Sequence, residues 1–528
     1  MKNLKYILLV FVAFAVAACE DNLDTFPTDQ AGGAELFSDV DKAMSTINGL
    51  YRAMYVTEWG TGWEHEQFGH ISIVHSGNLM AEDMVQAEMG SGWFYFDYMY
   101  QVKADYTNTR GRPYSSWNFY YTLITNVNSI LASKDELTGA PSKINSLMGQ
   151  AFALRAFSYF YLARFYQQSI AVDGGGNLPG VPIYTEPTSI KTEGSGRGTL
   201  NDVYKLVNAD IDSALVRLQP DKAQERVHIS NLDYYSANGL KARIMLEQKK
   251  WQEAYDAATE ALKGGTSALS GTDVSGGFAF NDATKNCVLW GFEVLDDQVA
   301  GAGRAMLFGH MDASASDYYA SKARVCVSSW LYDQVKANDV RKNWWYGPLA
   351  EGDEQATGTE KSYNQFKFQF ANVATGSGDY IFMRHEEMLL MQAEALCMLG
   401  QYGEARTILE DLMKERQPGY NISGLTDVNT LTVNNVNGPT TPSSGSLTLM
   451  DEIMLQRRIE LWGEVSRIYD IKRLGTGFTR DFAGSNHSEL IPYVDSKNKL
   501  CPDWVMAIPQ AEFDGNSAMD ATKDQNPW

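Results

Sequence analysis

Residues 384–417, RHEEMLLMQAEALCMLGQYGEARTILEDLMKERQ, have the pattern of two amphipathic helices joined by a tight turn at 399–401. Apolar or small side chains recur along both predicted helices, at Leu389, Ala393, Leu396, Ala405, Leu409 and Leu412. Residues three or four apart lie on the same side of a helix, so these positions form one continuous apolar face. The small side chains at Ala393 and Ala405 predict a close approach of the two helix backbones.

The same layout occurs earlier in the chain, at residues 236–265, SANGLKARIMLEQKKWQEAYDAATEALKGG. The residues that coincide at a shift of 151 positions are Ala242 with Ala393, Ala254 with Ala405, Trp251 with Tyr402, and Glu253 with Glu404. Units of about 34 residues with this pattern are typical of tetratricopeptide repeats. A single apolar helix pair cannot be buried alone, so we expect the pairs to stack into a mainly α, curved scaffold. The alternative is two unrelated hairpins that both use alanine at close contacts.

The composition is acidic and somewhat rich in aromatic residues. The chain has 528 residues, and its 65 Asp and Glu outweigh its 44 Lys and Arg to give a net charge of −21. A surface of that sign repels phosphate backbones, which disfavours nucleic acid as a partner. Aromatic residues make up 12% of the chain, with 28 Tyr and 12 Trp. Length alone leaves the number of domains open, because repeat folds grow without dividing.

Residues 1–18 have the features of a secretion signal. Lys2 and Lys5 precede an apolar run at 7–18 that is too short to span a membrane. The run ends in VAAC at Cys19, which resembles the bacterial lipobox, in which the cysteine is lipidated as the preceding peptide is cleaved. We therefore expect a lipoprotein anchored through Cys19 in the outer membrane and exposed at the cell surface. The alternative is an ordinary secretion signal followed by a chance cysteine.

Residues 19–528 are predicted to form a single domain. Helical periodicity covers about 38–56, 114–168, 200–263, 380–417 and 450–475. Two long segments, about 57–113 and 264–379, lack this periodicity and are dense in Gly, Trp and Tyr; we call them the first and second inserts. Residues 287–294 in the second insert have a strand-like pattern. Long irregular segments inside a compact protein are usually functional.

No catalytic motif stands out in the sequence. The run EHEQFGH brings Glu64, His65, Glu66 and His70 together and loosely resembles a metal site, but its spacing does not match HExxH. There is no nucleophile elbow and no phosphate-binding glycine loop. The sequence therefore predicts no catalytic residue, no metal site and no cofactor. A calcium ion holding a loop remains an open alternative.

The cysteines after Cys19 show no spacing typical of a metal site. Cys287, Cys326, Cys397 and Cys501 lie far apart in the sequence. We interpret them as core residues or free thiols, with one disulfide as the alternative.

Charged and Trp side chains in the periodic segments are interpreted as structural. The charges in 450–475 that stand three or four positions apart are Arg457, Arg458, Glu460, Glu464, Arg467, Asp470 and Arg473. At that spacing they can pair along a helix and between helices. Trp117, Trp290, Trp462 and Trp504 lie in periodic or strand-like runs, which favours a place in the core.

Five features in this order resemble the SusD/RagB family of nutrient-binding outer-membrane lipoproteins. They are the lipobox, LRAFSYFYLARFY at 154–166 followed by GVPIYTEP at 180–187, the helix pair at 384–417, QRRIELWGEVSRIYDIKRLG at 456–475, and AIPQAEFDGN at 507–516. The resemblance covers nearly the whole chain. Val465, where many members have glycine, departs from the pattern.

The resemblance implies a SusD-like scaffold of four tetratricopeptide-like units, with a few short strands and a ligand face made by the inserted loops. It implies a SusC-like TonB-dependent transporter as partner and an oligosaccharide or other glycan as ligand. It also implies binding without enzymatic activity. A peptide ligand, as in RagB-like members, is the first alternative, and a glycan-cleaving enzyme is the second.

Aromatic residues of the two inserts are the candidate glycan contacts. A loop rich in Trp and Tyr cannot bury all its rings in its own volume, and a flat ring offers an apolar platform to the C–H face of a pyranose. The candidates are Trp59, Trp63, Trp93, Tyr95, Trp344, Trp345 and Tyr346, with Glu82, Asp83 and Arg341 as polar partners for sugar hydroxyls. The alternative for each of them is packing in the core.

Overall fold

The computed structural model describes residues 37–57, 65–87, 93–189, 191–299, 306–316, 318–350, 352–353, 360–431, 447–488 and 501–527. The longer helices are α1 (Val40–Ala53), α2 (Gly69–Leu79), α3 (Arg112–Ala132), α4 (Pro141–Tyr166), α5 (Leu200–Arg217), α6 (Tyr234–Glu247), α7 (Trp251–Leu262), α8 (His385–Met398), α9 (Tyr402–Lys414), α10 (Leu449–Glu460) and α11 (Arg467–Leu474). Shorter α-helices span Tyr95–Tyr98, Gly271–Ser275, Asp296–Val299, Leu307–Met311, Ser329–Gln334, Gln510–Gly515 and Ala521–Asp524. The strands are β1 (Met84–Gln86), β2 (Val288–Phe292), β3 (Val325–Val327) and β4 (Tyr380–Arg384).

Helices α6 and α7 recur as α8 and α9, as the sequence predicts. Tyr234 and His385, the first residues of α6 and α8, are 151 positions apart, and so are Trp251 and Tyr402, the first residues of α7 and α9. The alanines at the helix crossings, Ala242, Ala254, Ala393 and Ala405, are fully buried. Helix α7 packs against α8, so the two pairs stack directly. The mainly α repeat scaffold is confirmed.

The stack continues on both sides of these pairs. Helix α3 packs on α4, α4 on α5 and α5 on α6, while α10 packs on α8 at the other end. Helix α4 is buried on several faces. Its buried aromatic side chains are Phe157, Tyr159, Phe160, Tyr161, Phe165 and Tyr166. Burial of one such apolar ring contributes roughly 1.5–3 kcal/mol. Helix α4 is therefore a major contributor to the core of the scaffold.

Several scaffold helices begin at a side chain that satisfies their first N–H groups. Thr199 caps α5 and Thr448 caps α10, each in a capping box with an Asp three residues later. At α1 the cap is Asp39. The carboxylate of Asp39 accepts hydrogen bonds from two N–H groups of the first turn. Its negative charge also suits the positive end of the helix dipole.

The predicted single helix at 450–475 consists of two helices, α10 and α11. Gly463 between them has a φ of +79°, a left-handed conformation that interrupts an α-helix. A Cβ at this position would lie 2.5 Å from the ring of Phe368. The Nζ of Lys367 donates to two backbone carbonyls at the end of α10, both at 2.8 Å. The prediction of one continuous helix is wrong because a distant cation and a glycine stabilise the break.

Helix α2 lies inside the first insert, where the sequence shows no helical periodicity. Residues from Gly69 to Leu79 are buried with the exception of Val74. A helix buried on all sides has no polar face, so its sequence carries no alternation between apolar and polar positions. This burial explains why periodicity does not predict α2.

Two antiparallel ribbons hold the inserts in place. Strand β1 of the first insert pairs with β3 of the second, with Met84 opposite Val327 and Gln86 opposite Val325. Strand β2 pairs with β4, which leads directly into α8. The two inserts therefore share one face of the molecule although almost the whole N-terminal half of the scaffold separates them in sequence.

The cysteines that the structure describes are buried and form no disulfide with one another. They are Cys287, Cys326, Cys397 and Cys501. Burial raises the pKa of Cys287 and of Cys397 to about 12, and that of Cys501 to about 11. Thiols with such pKa values are protonated at neutral pH and react slowly.

Candidate ligand-binding site

Glu82 and Asp83 lie in the interior rather than on a ligand face. Their exposed fractions are 5% and 4%. The guanidinium of Arg458 is 3.0 Å from Glu82 and donates to Asp83 at 2.8 Å, and Arg467 is also 3.0 Å from Glu82. Burial alone would raise the pKa of Glu82, but Arg467 and Arg458 lower it below its usual value. The prediction that these carboxylates bind sugar hydroxyls is wrong, because they fasten the first insert to α10 and α11.

Arg341 is fully buried in an ion-pair network centred on Glu460. The carboxylate of Glu460 accepts hydrogen bonds from Arg341 at 3.0 Å, Arg384 at 2.9 Å and Arg416 at 3.0 Å. Burial opposes its charge, and the three guanidinium groups nevertheless hold the pKa of Glu460 well below its usual range. Arg341 therefore anchors the second insert to α10 and cannot contact a ligand, which corrects the prediction from sequence.

Trp344 and Trp345 also belong to the core. Trp344 is 2% exposed and Trp345 is 4% exposed. The ring of Trp345 lies edge-on to Trp462, with centroids 5.8 Å apart, and the Nζ of Lys367 is 4.5 Å from the Trp344 ring. These two residues are thus not glycan contacts, because their rings pack in the interior against Trp462 and Lys367. The Trp residues predicted to be core, Trp117, Trp290, Trp462 and Trp504, are buried as expected.

Three predicted positions lie outside the described residues: Cys19, Trp59 and Trp63. Within the described part of the chain, no helix has both the length and the apolar character needed to cross a bilayer. Lipidation at Cys19 and glycan contacts at Trp59 and Trp63 stay predictions.

Trp93 lies in a group of rings that both inserts supply. The imidazole of His65 is stacked on Trp93, with ring centroids 4.3 Å apart and planes 7° from parallel. Tyr319 of the second insert lies 6.0 Å from Trp93 at an angle of 66°, and its hydroxyl forms a hydrogen bond with Nδ1 of His65. All three side chains are partly exposed. We call His65, Trp93 and Tyr319 the ring cluster.

A buried histidine supports the ring cluster from below. The ring of His310 is stacked on Tyr319 with centroids 4.7 Å apart, and its Nε2 donates to the backbone carbonyl of His65 at 3.0 Å. The His310 ring is also stacked on the ring of Phe68, with centroids 5.6 Å apart. Burial lowers the pKa of His310 to about 3. The ring is therefore neutral at physiological pH and holds the cluster without adding charge.

Tyr95 and Phe96 extend the aromatic surface next to Trp93. Tyr95 is partly exposed, and Phe96 is 52% exposed, the rings having centroids 5.8 Å apart. Phe94, between Trp93 and Tyr95, has a φ of +58°, which is uncommon for a bulky residue. The carboxylate of Glu66 accepts the N–H of Phe94 and so stabilises this turn. Strained backbone of this kind tends to occur at binding sites.

The cluster has the chemistry of a carbohydrate site rather than of a metal site. Partly exposed rings offer apolar faces, while the Tyr319 hydroxyl and the imidazole of His65 offer hydrogen bonds. Among the described residues, no group of three or more His, Cys, Asp or Glu is placed to hold an ion. His65 bonds to Tyr319, Glu66 accepts from Phe94, and His70 bonds to Tyr120 inside the core.

Part of this site is not predicted from the sequence. His65 appears there only as part of a loose metal-binding pattern, and Tyr319 and Phe96 are not among the candidate glycan contacts. Tyr319 lies in SDYYASK, where neither spacing nor composition separates it from the other tyrosines of the insert. The two segments meet through long-range contacts, namely the pairing of β1 with β3 and the contacts of His310 with His65 and Phe68. Tyr346 is partly exposed and lies elsewhere on the second insert, with its ring 6.2 Å from Phe366.

An interior cavity lies apart from the ring cluster. It has about 60 Å³ available to the centres of water molecules, enough for about four waters. Its polar lining consists mainly of groups already paired with each other, such as Arg243 with Glu387 at 2.6 Å and Arg473 with Asp470 at 2.8 Å. These contacts fit a hydrated part of the core.

Two family models match separate parts of the chain. Residues 68–246 match a SusD-like family described as starch-binding and associating with the outer membrane. Residues 334–527 match the SusD family itself. The first match covers α2 to α6, and the second covers α8 to the C-terminal segment, so together they include most of the scaffold.

Full-length comparisons agree with these matches. The chain is 21% identical to a SusD-like protein of Formosa agariphila over 510 residues, covering 89% of this chain and 91% of the relative. The structure of a SusD-like carbohydrate binding protein from Bacteroides vulgatus is similar with a TM-score of 0.72 and 22% identity, over 93% of this chain and 98% of that one. The surface glycan-binding protein A of Bacteroides uniformis has a TM-score of 0.64 at 17% identity, over 92% and 99%. The chain belongs to the SusD/RagB family.

Proposed function

We propose that this chain is a cell-surface lipoprotein that binds an oligosaccharide or longer glycan and delivers it to a SusC-like TonB-dependent transporter. The observation that carries this proposal is the ring cluster, in which partly exposed rings of both inserts meet at one place. Ring faces stack on the C–H faces of sugars, and neighbouring polar atoms bond to hydroxyls. The names of similar proteins, a carbohydrate binding protein and a surface glycan-binding protein, support the same ligand class.

The proposal places the protein on the outer membrane through lipid on Cys19. The sequence VAAC at the end of the signal segment supports this anchor. Acyl chains on one cysteine hold a protein body at a bilayer without any spanning helix. Replacement of Cys19 by serine should therefore move the protein out of the outer-membrane fraction. A Cys19→Ser protein that stays in that fraction would contradict the anchor.

Glycan binding is tested by native gel electrophoresis with a soluble polysaccharide cast into each gel. The panel consists of amylopectin, arabinoxylan, galactomannan, mixed-linkage β-glucan and a microbial mannan. We expect retardation in at least one gel and no release of reducing sugar after overnight incubation. Equal mobility in all gels, combined with binding to a panel of basic peptides, would show that the ligand is a peptide and not a glycan. Release of sugar would indicate an enzyme.

Delivery to a transporter is tested in the native membrane. The lipoprotein is purified from detergent-solubilised outer membranes after mild cross-linking. We expect a TonB-dependent transporter to co-purify in near-equal amount, since a lid on a transporter should bury more surface than a standard stable interface of roughly 1,600 Å². Recovery of the lipoprotein alone, with or without cross-linker, would contradict this part of the proposal.

A further inference from the structure

A second group of partly exposed rings lies on the second insert, away from the ring cluster. Its members are Tyr332, Tyr346, Tyr363 and Phe366, and we call it the distal ring group. The ribbon of β1 and β3 separates the two groups. At one end of the ribbon the N–H of Ala87 donates to the carbonyl of Arg324, and the chain continues from this end towards Trp93 and Tyr319. At the opposite end the N–H of Ser328 donates to the carbonyl of Asp83, and the chain continues towards Tyr332.

The core of the distal group is a pair of tyrosines at nearly a right angle. The rings of Tyr332 and Tyr363 have centroids 5.5 Å apart and an angle of 77°. The Nζ of Lys342 lies 3.4 Å from the centroid of the Tyr332 ring and donates to the backbone carbonyl of Val335 at 2.9 Å. This cation fixes one face of Tyr332, so the ring is held in place before any ligand arrives.

Tyr346 and Phe366 join this pair through the backbone. The N–H of Tyr346 donates to the carbonyl of Asn364 at 2.7 Å, and the N–H of Phe366 donates to Trp344, also at 2.7 Å. Gly347 follows Tyr346, and a Cβ on it would come within 3.0 Å of the Tyr332 hydroxyl. Glycine therefore lets the segment at 346–347 lie directly against Tyr332, which brings the rings onto one surface.

Tyr363 has a positive φ, as Phe94 next to the ring cluster does. The φ of Tyr363 is +61°, and that of Phe94 is +58°. A bulky residue in this conformation is a genuine outlier that its surroundings must enforce. The carbonyl of Tyr363 accepts the N–H of Val327 at 3.2 Å, so the ribbon enforces it here. The Tyr363 ring is therefore held at the surface in an orientation that a negative φ would not give.

The surroundings of the distal group favour a polyhydroxylated ligand over an apolar protein. Asp333 is exposed and follows Tyr332 in the sequence, and its charge adds to burial in raising the pKa of Tyr332 and of Tyr363. The large apolar side chains that are exposed in the described residues lie elsewhere; they are Phe96, Val216, Val227, Leu295, Val373 and Leu399. Rings beside a carboxylate and an ammonium group, with no large exposed aliphatic side chain among the described residues of the group, match the C–H faces and hydroxyls of a sugar.

We propose that the distal ring group is a second glycan-binding surface, which engages the same polymer as the ring cluster. This inference rests on the proposed function, since both surfaces bind the same class of ligand. Two weak sites on one protein convert the second contact with a long chain into an intramolecular step, which raises the affinity for polymers above that for short oligosaccharides. A short oligosaccharide occupies each site separately.

The test uses calorimetric titration of the purified protein with maltohexaose, xylohexaose, mannohexaose and a mixed-linkage glucan hexasaccharide, together with the polysaccharide gels. The variants are Tyr332→Ala, Tyr363→Asn and Trp93→Ala, and Tyr402→Ala on α9 is the matched control. Asparagine is chosen for position 363 because it tolerates a positive φ better than other non-glycine residues. Far-ultraviolet circular dichroism and the thermal midpoint confirm that each variant is folded.

We expect the hexasaccharide that binds to do so at two molecules per protein chain, falling to one in Tyr332→Ala and to one in Trp93→Ala. Retention in the matching polysaccharide gel should weaken by about tenfold or more in Tyr332→Ala and in Tyr363→Asn, because the avidity is lost. The Tyr402→Ala protein should behave as the unchanged chain does. Binding of one hexasaccharide that Trp93→Ala abolishes and Tyr332→Ala leaves intact would overturn the second surface while the proposed function stands. Absence of binding to every probe would overturn both.

Discussion

Trp93 of the first insert and Tyr319 of the second lie with their ring centroids 6.0 Å apart and their planes inclined at 66°. Neither residue is in the helical scaffold. Their contact depends on the antiparallel pairing of β1 with β3, and on the hydrogen bond from the Ala87 N–H to the carbonyl of Arg324 at 2.9 Å. The scaffold therefore contributes to binding indirectly, by fixing the ribbon that brings the rings together.

Two substitutions of Tyr319 separate its ring from its hydroxyl. Tyr319→Ala removes the ring contact with Trp93 and the hydrogen bond to His65, whereas Tyr319→Phe removes only the hydrogen bond. We expect glycan affinity to fall about tenfold for alanine and about threefold for phenylalanine, as order-of-magnitude values for one ring contact and one hydrogen bond. Calorimetric titration with the hexasaccharide that binds, carried out on variants that also carry Tyr332→Ala so that only the ring cluster is titrated, measures both. Unchanged affinity in Tyr319→Ala would remove Tyr319 from the site.

Glu460→Gln should strongly destabilise the fold. The substitution keeps the shape of the side chain but leaves Arg341, Arg384 and Arg416 around a neutral group in the interior. Loss of one partner of a buried ion pair typically costs about 3–5 kcal/mol. Urea unfolding followed by Trp fluorescence gives the change in the free energy of unfolding. The control Glu260→Gln, which affects the surface pair with Lys263, should leave that free energy unchanged. Equal values for the two variants would contradict the role of Glu460.

The free energy of unfolding should fall as the pH is lowered from 6.5 towards 4. Burial lowers the pKa of His310 and of His487 to about 3, and that of His70 and His75 well below the usual value. Between the unfolded pKa and these folded values, only the unfolded chain binds the protons, so acid favours unfolding. Carboxylates with depressed pKa values, such as Asp470, add to the loss once the pH falls to the usual carboxyl pKa of about 4, because the unfolded chain then binds protons that the folded chain does not.

His487→Gln provides the control for this pH dependence. His487 accepts from the Tyr98 hydroxyl at 2.8 Å and its Nε2 donates to the carbonyl of Glu82 at 3.1 Å, and an amide can replace both bonds. The slope of unfolding free energy against pH between 5 and 6 should decrease by about 1.4 kcal/mol per pH unit, the value for one proton. An unchanged slope would show that His487 titrates normally in the folded protein.

Thiol titration tests the cysteines and the lipid anchor together. The four described cysteines are buried, and burial raises the pKa of Cys287, Cys397 and Cys501, so we expect none of the four to react with a chromogenic disulfide in the native protein. Unfolding in guanidinium chloride should expose four reactive thiols if the sulfur of Cys19 carries lipid, and five if it does not. Two thiols after unfolding would instead indicate a disulfide.

The helical scaffold could be predicted because its signal is local. Ala242 and Ala393 occupy equivalent positions in α6 and α8, and the apolar spacing around each specifies a helix face without reference to the rest of the chain. The break between α10 and α11 could not be predicted in the same way. It depends on Lys367, which lies far away in sequence and binds the carbonyls at the end of α10.

The fate of the insert residues could not be predicted because it depends on long-range contacts. Trp93 and Trp344 both lie in irregular segments rich in aromatic residues, yet Trp93 is partly exposed and Trp344 is buried beside Lys367. The sequence around Arg341 is typical of an exposed loop, but its guanidinium is buried and donates to the carboxylate of Glu460 on α10. Composition thus predicts that the inserts form a ligand face, but it does not predict which of their rings face outward.

Trp93→Ala is the most direct test of the account, with Trp251→Ala as its matched control on the scaffold. Both side chains are partly exposed, but only Trp93 belongs to the ring cluster. Both variants and their parent protein carry Tyr332→Ala, which removes the distal ring group, and calorimetric titration with the hexasaccharide that binds compares them under identical conditions. We expect Trp93→Ala to lower the affinity by about tenfold or more, the scale of one lost stacking contact, while Trp251→Ala keeps it. Equal affinity in Trp93→Ala and in its parent protein would contradict glycan capture at the ring cluster.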